Sequence, residues 1–218
     1  MGKYKLIKPT EPLVKQYNRI WDGEQSEEDY QIKIFEDVRV DIRDYFTEKE
    51  IKTLGDGDKK ILNYYKKKDV FNFFSEINSI YHTRLKTEDV AAEWSLSDET
   101  KTLDDLVELC KDKTKSYAYS FASKVFSFMY PNEYPIMDRY VVNMLKTYLN
   151  SGISSWGDYQ KYIEAYKRFK EKFNLNILSY KEIDKFLWTY GKLLGRYWKN
   201  EGVLLFDSTV WYQSKKKK

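Results

Sequence analysis

The chain has 218 residues and a net charge of +4, and 42% of its residues are hydrophobic and 17% aromatic. This composition is too apolar for an intrinsically disordered chain, and the length suits one large domain or two lobes that share a cleft. The apolar stretches are shorter than a membrane span, and no apolar segment follows the charged N-terminus. We therefore predict no membrane anchor and no signal peptide, and we expect a cytoplasmic protein.

Metal and disulfide chemistry are limited by a single cysteine, Cys110, and a single histidine, His82. A structural zinc site uses about four Cys or His ligands, and iron–sulfur clusters need several cysteines, so neither site can be built from this chain. Cys110 follows a run of leucine and valine and is predicted to be a small buried residue. His82 is predicted to be a packed or surface residue of a helix. We expect no metal and no cofactor.

The whole chain contains only four prolines and nine glycines, and this low number predicts helices joined by short connections. Apolar residues at helical spacing predict a first helix over residues 13–21. Tyr30, Ile34, Val38 and Ile42 follow one another at four-residue intervals, which indicates one face of a second helix. The run 55–58, Gly-Asp-Gly-Asp, is predicted to be a turn.

The rest of the chain predicts further helices, so the fold class is expected to be all-α. Polar residues 83–102 are predicted to connect two lobes, at about residues 1–100 and 101–200, within one globular domain. Residues 203–206 are predicted to form a short strand or an extended segment, and residues 207–218 a tail. Helices are predicted near residues 61–65, 70–81, 103–112, 116–130, 138–150, 155–173 and 179–195.

The segment 116–131 carries an unusual polar helix face. Its apolar side would bury residues such as Phe121 and Val125, and its polar side falls within an arc of about 100°. That polar side contains four serines and one lysine: Ser116, Ser120, Ser123, Lys124 and Ser127. Small hydroxyl side chains allow another surface to approach closely and can bond phosphate oxygens. We therefore predict that Ser120, Ser123 and Ser127 bond phosphate oxygens of a docked partner and that Lys124 projects into that partner.

The residues after this helix place an aspartate at the start of the next one. Pro131 ends the helix, and the loop 132–137 leads to Asp138. Considered by spacing alone, Asp138 is an N-cap worth about 1 kcal/mol, and Lys124 is a surface charge.

The chain thus has a lysine-bearing helix, followed by a short loop, the motif Pro135-x-x-Asp138 and a new helix. This arrangement resembles the core of the helix-hairpin-helix DNA glycosylases, especially their 8-oxoguanine glycosylase-like branch. The resemblance covers about residues 110–150, and a weaker one covers residues 183–192. It implies a two-lobed helical fold without a cofactor, with Lys124 as the nucleophilic lysine and Asp138 as the catalytic aspartate. Ser120 and Ala122 stand where the family has its two hairpin glycines, and the spacing from Lys124 to Asp138 is shorter than in better-known members.

The resemblance also implies a reaction and a partner. A base would be flipped from DNA into the cleft and excised, and Lys124 would act either as a Schiff-base nucleophile or as a binding cation. The base would be an oxidised purine, as in repair, or a hypermodified phage base such as a glucosylated cytosine, as in antiphage defence. Arg139 and Lys146 are candidates for phosphate contacts in a monomeric enzyme. The candidates for stacking on the base are Trp156, Trp188, Tyr134 and Tyr159.

Other classes of function compete with this one. A non-catalytic protein could use the same helix pair to bind DNA. A helical ribonuclease of the antiphage toxin type needs an arginine shortly before a histidine, and none precedes His82 at that distance. A metal-dependent nuclease needs clustered carboxylates, and Asp37 and Asp41 offer only one pair on a predicted helix.

Overall fold

The computed structural model describes residues 6–23, 31–35, 38–41, 48–81, 83, 85–115, 118–150 and 158–200. Over these ranges the chain is helical apart from one two-stranded hairpin, which confirms the prediction of a helical fold. None of the described helices is both long enough and apolar enough to cross a membrane. In chain order the elements are α1 Glu11–Trp21, β1 Gln31–Phe35, β2 Val38–Asp41, α2 Glu48–Lys66, α3 Val70–Ile80, α4 Glu88–Glu93, α5 Leu103–Thr114, α6 Tyr119–Met129, α7 Arg139–Leu149, α8 Tyr159–Phe173 and α9 Tyr180–Asn200.

The hairpin replaces the helix that was predicted over residues 30–42. Strands β1 and β2 pair antiparallel, with Gln31 opposite Asp41 and Ile32 opposite Val40. Four-residue spacing is also a multiple of the two-residue period of a strand, and the β-branched residues of the segment favour the strand. The pair Asp37 and Asp41 therefore shares no helix face, since Asp41 ends β2 and Asp37 lies outside the described residues.

The glycines at positions 55 and 57 lie inside α2, so the predicted turn at residues 55–58 is wrong. A Cβ atom at Gly55 would lie 2.6 Å from the backbone oxygen of Asp22, and one at Gly57 would lie 2.6 Å from Ile80 Cδ1. The two glycines thus allow α2 to pack closely against the end of α1 and the end of α3. Each costs about 1 kcal/mol of helix propensity relative to alanine, and close packing explains why they are there.

Gly55→Ala is expected to destabilise the protein although alanine is the better helix former. The added methyl group meets backbone rather than a movable side chain, so we expect the free energy of unfolding to fall by about 1–3 kcal/mol. Asp56→Ala, one position along on the exposed side of α2, is the control and should change stability by less than about 0.5 kcal/mol. Urea denaturation measures both. A Gly55→Ala variant as stable as the wild type would show that α1 and α2 do not pack this closely.

The described helices pack in two groups. Helices α2 to α6 contact one another in turn, whereas α1 packs on α9, and α9 and α8 both pack on α7. Tyr17 of α1 makes edge contacts with the rings of Phe186 and Tyr190 in α9, at centroid distances of 5.2 and 5.8 Å. The first helix therefore packs with the last three helices, and the predicted division into lobes near residue 100 stays a prediction. Both groups contribute to one continuous hydrophobic core.

The second half of the chain follows its predicted helices closely. Helices α5, α6, α7 and α9 begin within three residues of the predicted positions, and α4 lies inside the predicted connection at 83–102. Helix α8 begins at Tyr159 with Asp158 as its N-cap. Residues 203–206 and the tail 207–218 lie outside the described residues.

Candidate functional site

Asp138 is the N-cap of α7, as its position in the sequence predicted. Its backbone is extended, with φ −114° and ψ 152°, and its Oδ1 accepts a hydrogen bond of 2.8 Å from the Tyr140 amide. The Val142 amide donates to the Asp138 carbonyl oxygen at 2.8 Å, which closes the first turn of the helix. Within the described part of the chain, the second carboxylate oxygen accepts no hydrogen bond. One oxygen thus builds the helix, and the other is available for chemistry.

Lys124 lies at the middle of α6 and is buried, with 2% of its surface exposed. Its Nζ donates to Ser120 Oγ at 2.8 Å and lies 5.3 Å from the centre of the Tyr81 ring. Burial lowers the pKa of this amine, and the nearby carboxylate of Asp138 acts in the opposite direction. The prediction from spacing alone, that Lys124 is a surface charge, is wrong because the side chain is buried. A lysine whose pKa is lowered by burial has a larger neutral fraction, and the neutral amine is the nucleophile.

The serine face of α6 is covered by the protein itself. Ser123 Oγ donates to the Ser120 carbonyl oxygen and accepts a 2.9 Å bond from the Met137 amide, and Ser127 Oγ donates to the Lys124 carbonyl oxygen. Ser123 and Ser127 are 0% and 2% exposed, so in this structure their hydroxyls bond within the protein, and their contact with phosphate stays a prediction. Because the serine side chains are small, the loop before Asp138 packs closely against this face and bonds Ser123.

Ser120 and Ala122, the positions of the family's hairpin glycines, also lie inside α6. Ser120 is half-buried and holds Lys124 Nζ, and Ser116 lies outside the described residues. The Ala122 amide donates to the Ala118 carbonyl oxygen at 2.8 Å. This amide is therefore committed to the helix and is not free to bind a DNA phosphate, unlike an amide in a glycine turn.

A narrow crevice opens beside Asp138, between the end of α1, the end of α3, the start of α7 and α9. Trp188 is the predicted stacking residue that the structure places there, and its indole meets that of Trp21 edge-on at 4.9 Å. The walls combine aromatic, aliphatic and charged side chains, and they enclose about 10 Å³, the space of a single water molecule. The lining residues are Trp21, Tyr81, Ile136, Val141, Lys181, Asp184, Lys185 and Trp188.

A polar network around Asp58 connects three residues of the crevice wall, Trp21, Tyr81 and Lys181. Asp58 accepts hydrogen bonds from Trp21 Nε1 at 3.2 Å and from the Tyr81 hydroxyl at 3.1 Å. Lys181 Nζ lies 3.6 Å from Asp58 Oδ2, donates to the Tyr81 hydroxyl at 3.3 Å and lies 4.1 Å from the centre of the Phe128 ring. Burial lowers the pKa of Lys181, and the Asp58 charge opposes the shift. Tyr81 therefore lies over one buried amine, Lys124, and accepts a bond from another.

The loop before Asp138 is fixed by tyrosines of α8. The Tyr159 hydroxyl donates to the Pro135 carbonyl oxygen at 2.6 Å, and the Tyr162 hydroxyl donates to the carbonyl oxygen of Ile136. Burial raises the pKa of both phenols, so they remain neutral donors. Tyr159 was predicted to stack on a base, but it is buried behind this loop, and that prediction is wrong for this structure.

The other predicted residues lie away from the crevice. Tyr134 packs against Phe126 at 5.1 Å and stacks on Tyr159 at 6.2 Å, so it belongs to a core cluster and not to the crevice. Arg139 is exposed beside the Tyr140 ring, and Lys146 is half-buried on α7. Their contacts with DNA phosphates stay predictions. Trp156 lies outside the described residues.

Cys110 is buried, which confirms its predicted structural role, and burial raises the pKa of its thiol to about 12. His82 lies outside the described residues. In the ranges that the structure covers, no three histidine, cysteine, aspartate or glutamate side chains are grouped as metal ligands would be.

Most of the crevice was not predicted from the amino-acid sequence. Trp21, Tyr81, Asp58, Lys181 and Asp184 were not singled out, although they form its walls and network. A signal existed only for the last of these. Asp184 lies three and seven positions before Leu187 and Gly191, on the buried face of α9, and a carboxylate on an apolar helix face is unusual.

Comparison with known protein families, with characterised proteins and with solved structures finds no match to this chain.

Proposed function

We propose that the protein is a DNA glycosylase that excises a modified base, with Lys124 as nucleophile and Asp138 as the charge that stabilises the sugar. The observation that carries the proposal is a buried amine, whose pKa burial lowers, near the carboxylate of Asp138 and against the ring of Tyr81, which lines the crevice. A group whose ionisation is shifted by both desolvation and a defined partner is typical of functional sites. The proposal also explains why a capping aspartate keeps one oxygen free of hydrogen bonds from the residues that the structure describes.

In the proposed reaction the crevice, whose volume of about 10 Å³ holds a single water molecule, widens to admit a flipped nucleotide. Unstacking that nucleotide costs a few kcal/mol. The neutral Nζ of Lys124 attacks the anomeric carbon of the sugar as the bond to the base breaks, and the base leaves with the electron pair and takes up a proton. The charge that develops on the sugar is stabilised by the ionised carboxylate of Asp138. Opening of the sugar ring with loss of a proton from nitrogen then gives a Schiff base, which permits strand cleavage.

Side chains around Lys124 would have to respond to the substrate. The Tyr81 ring lies over Nζ and also lines the crevice, so this ring moves when the base enters. Trp188, which is half-buried in the crevice wall, is proposed to stack on the base. Arg139 and Lys146, on the same helix that Asp138 caps, are proposed to contact the DNA backbone.

A non-catalytic DNA-binding protein is the second candidate, and one observation favours it. Asp138 makes a regular N-cap, and capping alone would explain an aspartate at this position. Under this alternative, binding of DNA would not depend on the Asp138 carboxylate, and no base would be released.

Release of free base from a panel of DNAs tests the proposal. The panel contains 8-oxoguanine, uracil, alkylated bases and genomic DNA from phages with glucosylated cytosine, and abasic sites are detected by strand breakage in hot alkali. Release from one class of substrate supports the glycosylase and separates repair from antiphage defence. Binding of all these DNAs without release of any base would favour the binding protein.

A further inference from the structure

The peptide that precedes Asp138 is held from two sides by side chains of α6 and α9. The Met137 amide donates to Ser123 Oγ at 2.9 Å, and Ser123 is the neighbour of the proposed nucleophile on α6. The Ile136 amide donates to Asp184 Oδ2 of α9 at 2.7 Å. These two bonds fix consecutive peptide groups in a segment without regular secondary structure. The direction in which Asp138 leaves the backbone therefore depends on them.

Asp184 is suited to this role because it can act as a neutral carboxylic acid. It is 4% exposed, and burial together with the neighbouring Asp138 charge raises its pKa, while the bond from the Ile136 amide opposes the shift. Its Oδ1 lies within hydrogen-bond distance of the Tyr166 hydroxyl. A neutral acid can accept from the Ile136 amide with one oxygen and donate to Tyr166 from the other. This form places no second negative charge beside Asp138.

We propose that Asp184 is a positioning residue, which fixes the Ile136 peptide and so directs the free carboxylate oxygen of Asp138 toward Lys124. Asp184 lines the same crevice, but the partners of both its oxygens lie within the protein, so it acts through Asp138 and not on a substrate. The effect of Asp184 on catalysis rests on the proposed function. Its effect on the conformation of Asp138 is independent of that function.

Two substitutions that keep the number and branching of side-chain heavy atoms separate positioning from loss of the side chain. Asp184→Asn mimics the neutral acid, because its amide oxygen can accept from Ile136 and its NH2 group can donate to Tyr166. Asp184→Leu keeps the branched shape, with bulkier methyl groups, and makes neither bond. Hydrogen exchange of the Tyr140 amide reports the Asp138 side chain, because this amide donates to Asp138 Oδ1. Exchange at Met137 and at amides in the middle of α3 serves as the near and the remote reference.

We expect Asp184→Leu to speed exchange at Met137 and Tyr140 by about fivefold or more, the factor for one lost net hydrogen bond, relative to α3. Asp184→Asn should keep both rates within about twofold of the wild type. The proposal is overturned if exchange of the Tyr140 amide in the leucine variant speeds up no more than exchange in α3. Equal acceleration at both places, as general unfolding would give, is such a result. It is also overturned if the asparagine variant loses as much protection as the leucine variant.

A second arm uses DNA with a single abasic site, whose aldehyde needs no base to be removed. The rate of borohydride trapping at saturating DNA should fall in Asp184→Leu and be restored in Asp184→Asn, with the DNA concentration for half-saturation unchanged. Absence of trapping in the wild type would count against the glycosylase and leave the exchange result to decide on positioning. Normal trapping in Asp184→Leu together with unchanged exchange would overturn the positioning role and leave the glycosylase standing.

Discussion

Lys124→Met is expected to abolish borohydride trapping of the protein on abasic-site DNA, with a loss of at least about a hundredfold because the attacking amine is gone. Methionine matches the length and apolar stem of lysine, so the buried site stays filled. The free energy of unfolding should be equal to that of the wild type or higher, since a buried group that resists ionisation is replaced by an apolar one. Trapping is measured by gel shift after reduction, and stability by urea denaturation.

Lys170→Met is the matched control for this substitution. Lys170 also has a pKa that burial lowers, and its Nζ lies 5.0 Å from the centre of the Tyr180 ring, as Lys124 lies over Tyr81. It lies on α8, outside the crevice. Trapping should therefore be unchanged in Lys170→Met. Equal trapping in Lys124→Met and in the wild type would show that another amine forms the adduct.

The pH dependence of trapping follows from the same group. Because burial lowers the pKa of Lys124, the folded protein binds its proton less tightly than the unfolded chain does. The neutral, reactive fraction grows as pH rises through this lowered pKa, so trapping should rise with pH and level off below the pH at which an exposed lysine would titrate. A rate that keeps rising up to the ordinary lysine pKa would indicate reaction at an exposed lysine.

Asp138→Asn is expected to slow base release by about a hundredfold or more, because the charge that stabilises the developing cation is lost. Asparagine caps helices as well as aspartate does, so the free energy of unfolding should change by less than about 0.5 kcal/mol. Asp138→Ala should lose the activity and, in addition, about 1 kcal/mol of stability. The rate is measured under single-turnover conditions on the substrate that the panel identifies.

Asp158→Asn is the control for the cap itself. Asp158 caps α8 and accepts from the Lys161 amide at 3.1 Å, in the same way that Asp138 caps α7, but it does not line the crevice. This variant should release base at the rate of the wild type. If Asp138→Asn also does so, the role of Asp138 is limited to starting its helix.

Much of the helical fold could be predicted because the spacing of apolar residues is a local property of the chain. The two local errors arose where one pattern fits two structures. The four-residue spacing before Ile42 fits a strand as well as a helix, and glycines at 55 and 57 fit a turn as well as close packing. In the structure the two glycines allow close packing. The groups that they pack against, Asp22 at the end of α1 and Ile80 at the end of α3, are far from them in the sequence. No window of the sequence contains them all.

The candidate site could be predicted only for the residues near one another in the chain. Asp138 as an N-cap and Lys124 in the preceding helix follow from spacing and from the family resemblance. The burial of Lys124 does not, because a helical wheel shows which residues share a face but not what covers that face. Small serine side chains fit a surface that approaches closely, and at Ser123 that surface is the loop before Asp138.

The crevice could not be predicted because tertiary packing creates it. Trp21, Tyr81 and Lys181 come from α1, the end of α3 and α9, and α1 lies beside α9 although the two helices are at opposite ends of the chain. A buried aspartate such as Asp184 is visible in sequence as a charge on an apolar face, but its partner, the Ile136 amide, is not.

The most direct measurement is to map the covalent adduct that wild-type protein forms with abasic-site DNA under borohydride. After nuclease and protease digestion, mass spectrometry identifies the lysine that carries the reduced sugar. We expect a single modified peptide, with the modification at Lys124. Adducts spread over exposed lysines, or no adduct at all, would contradict Lys124 as the nucleophile of a DNA glycosylase.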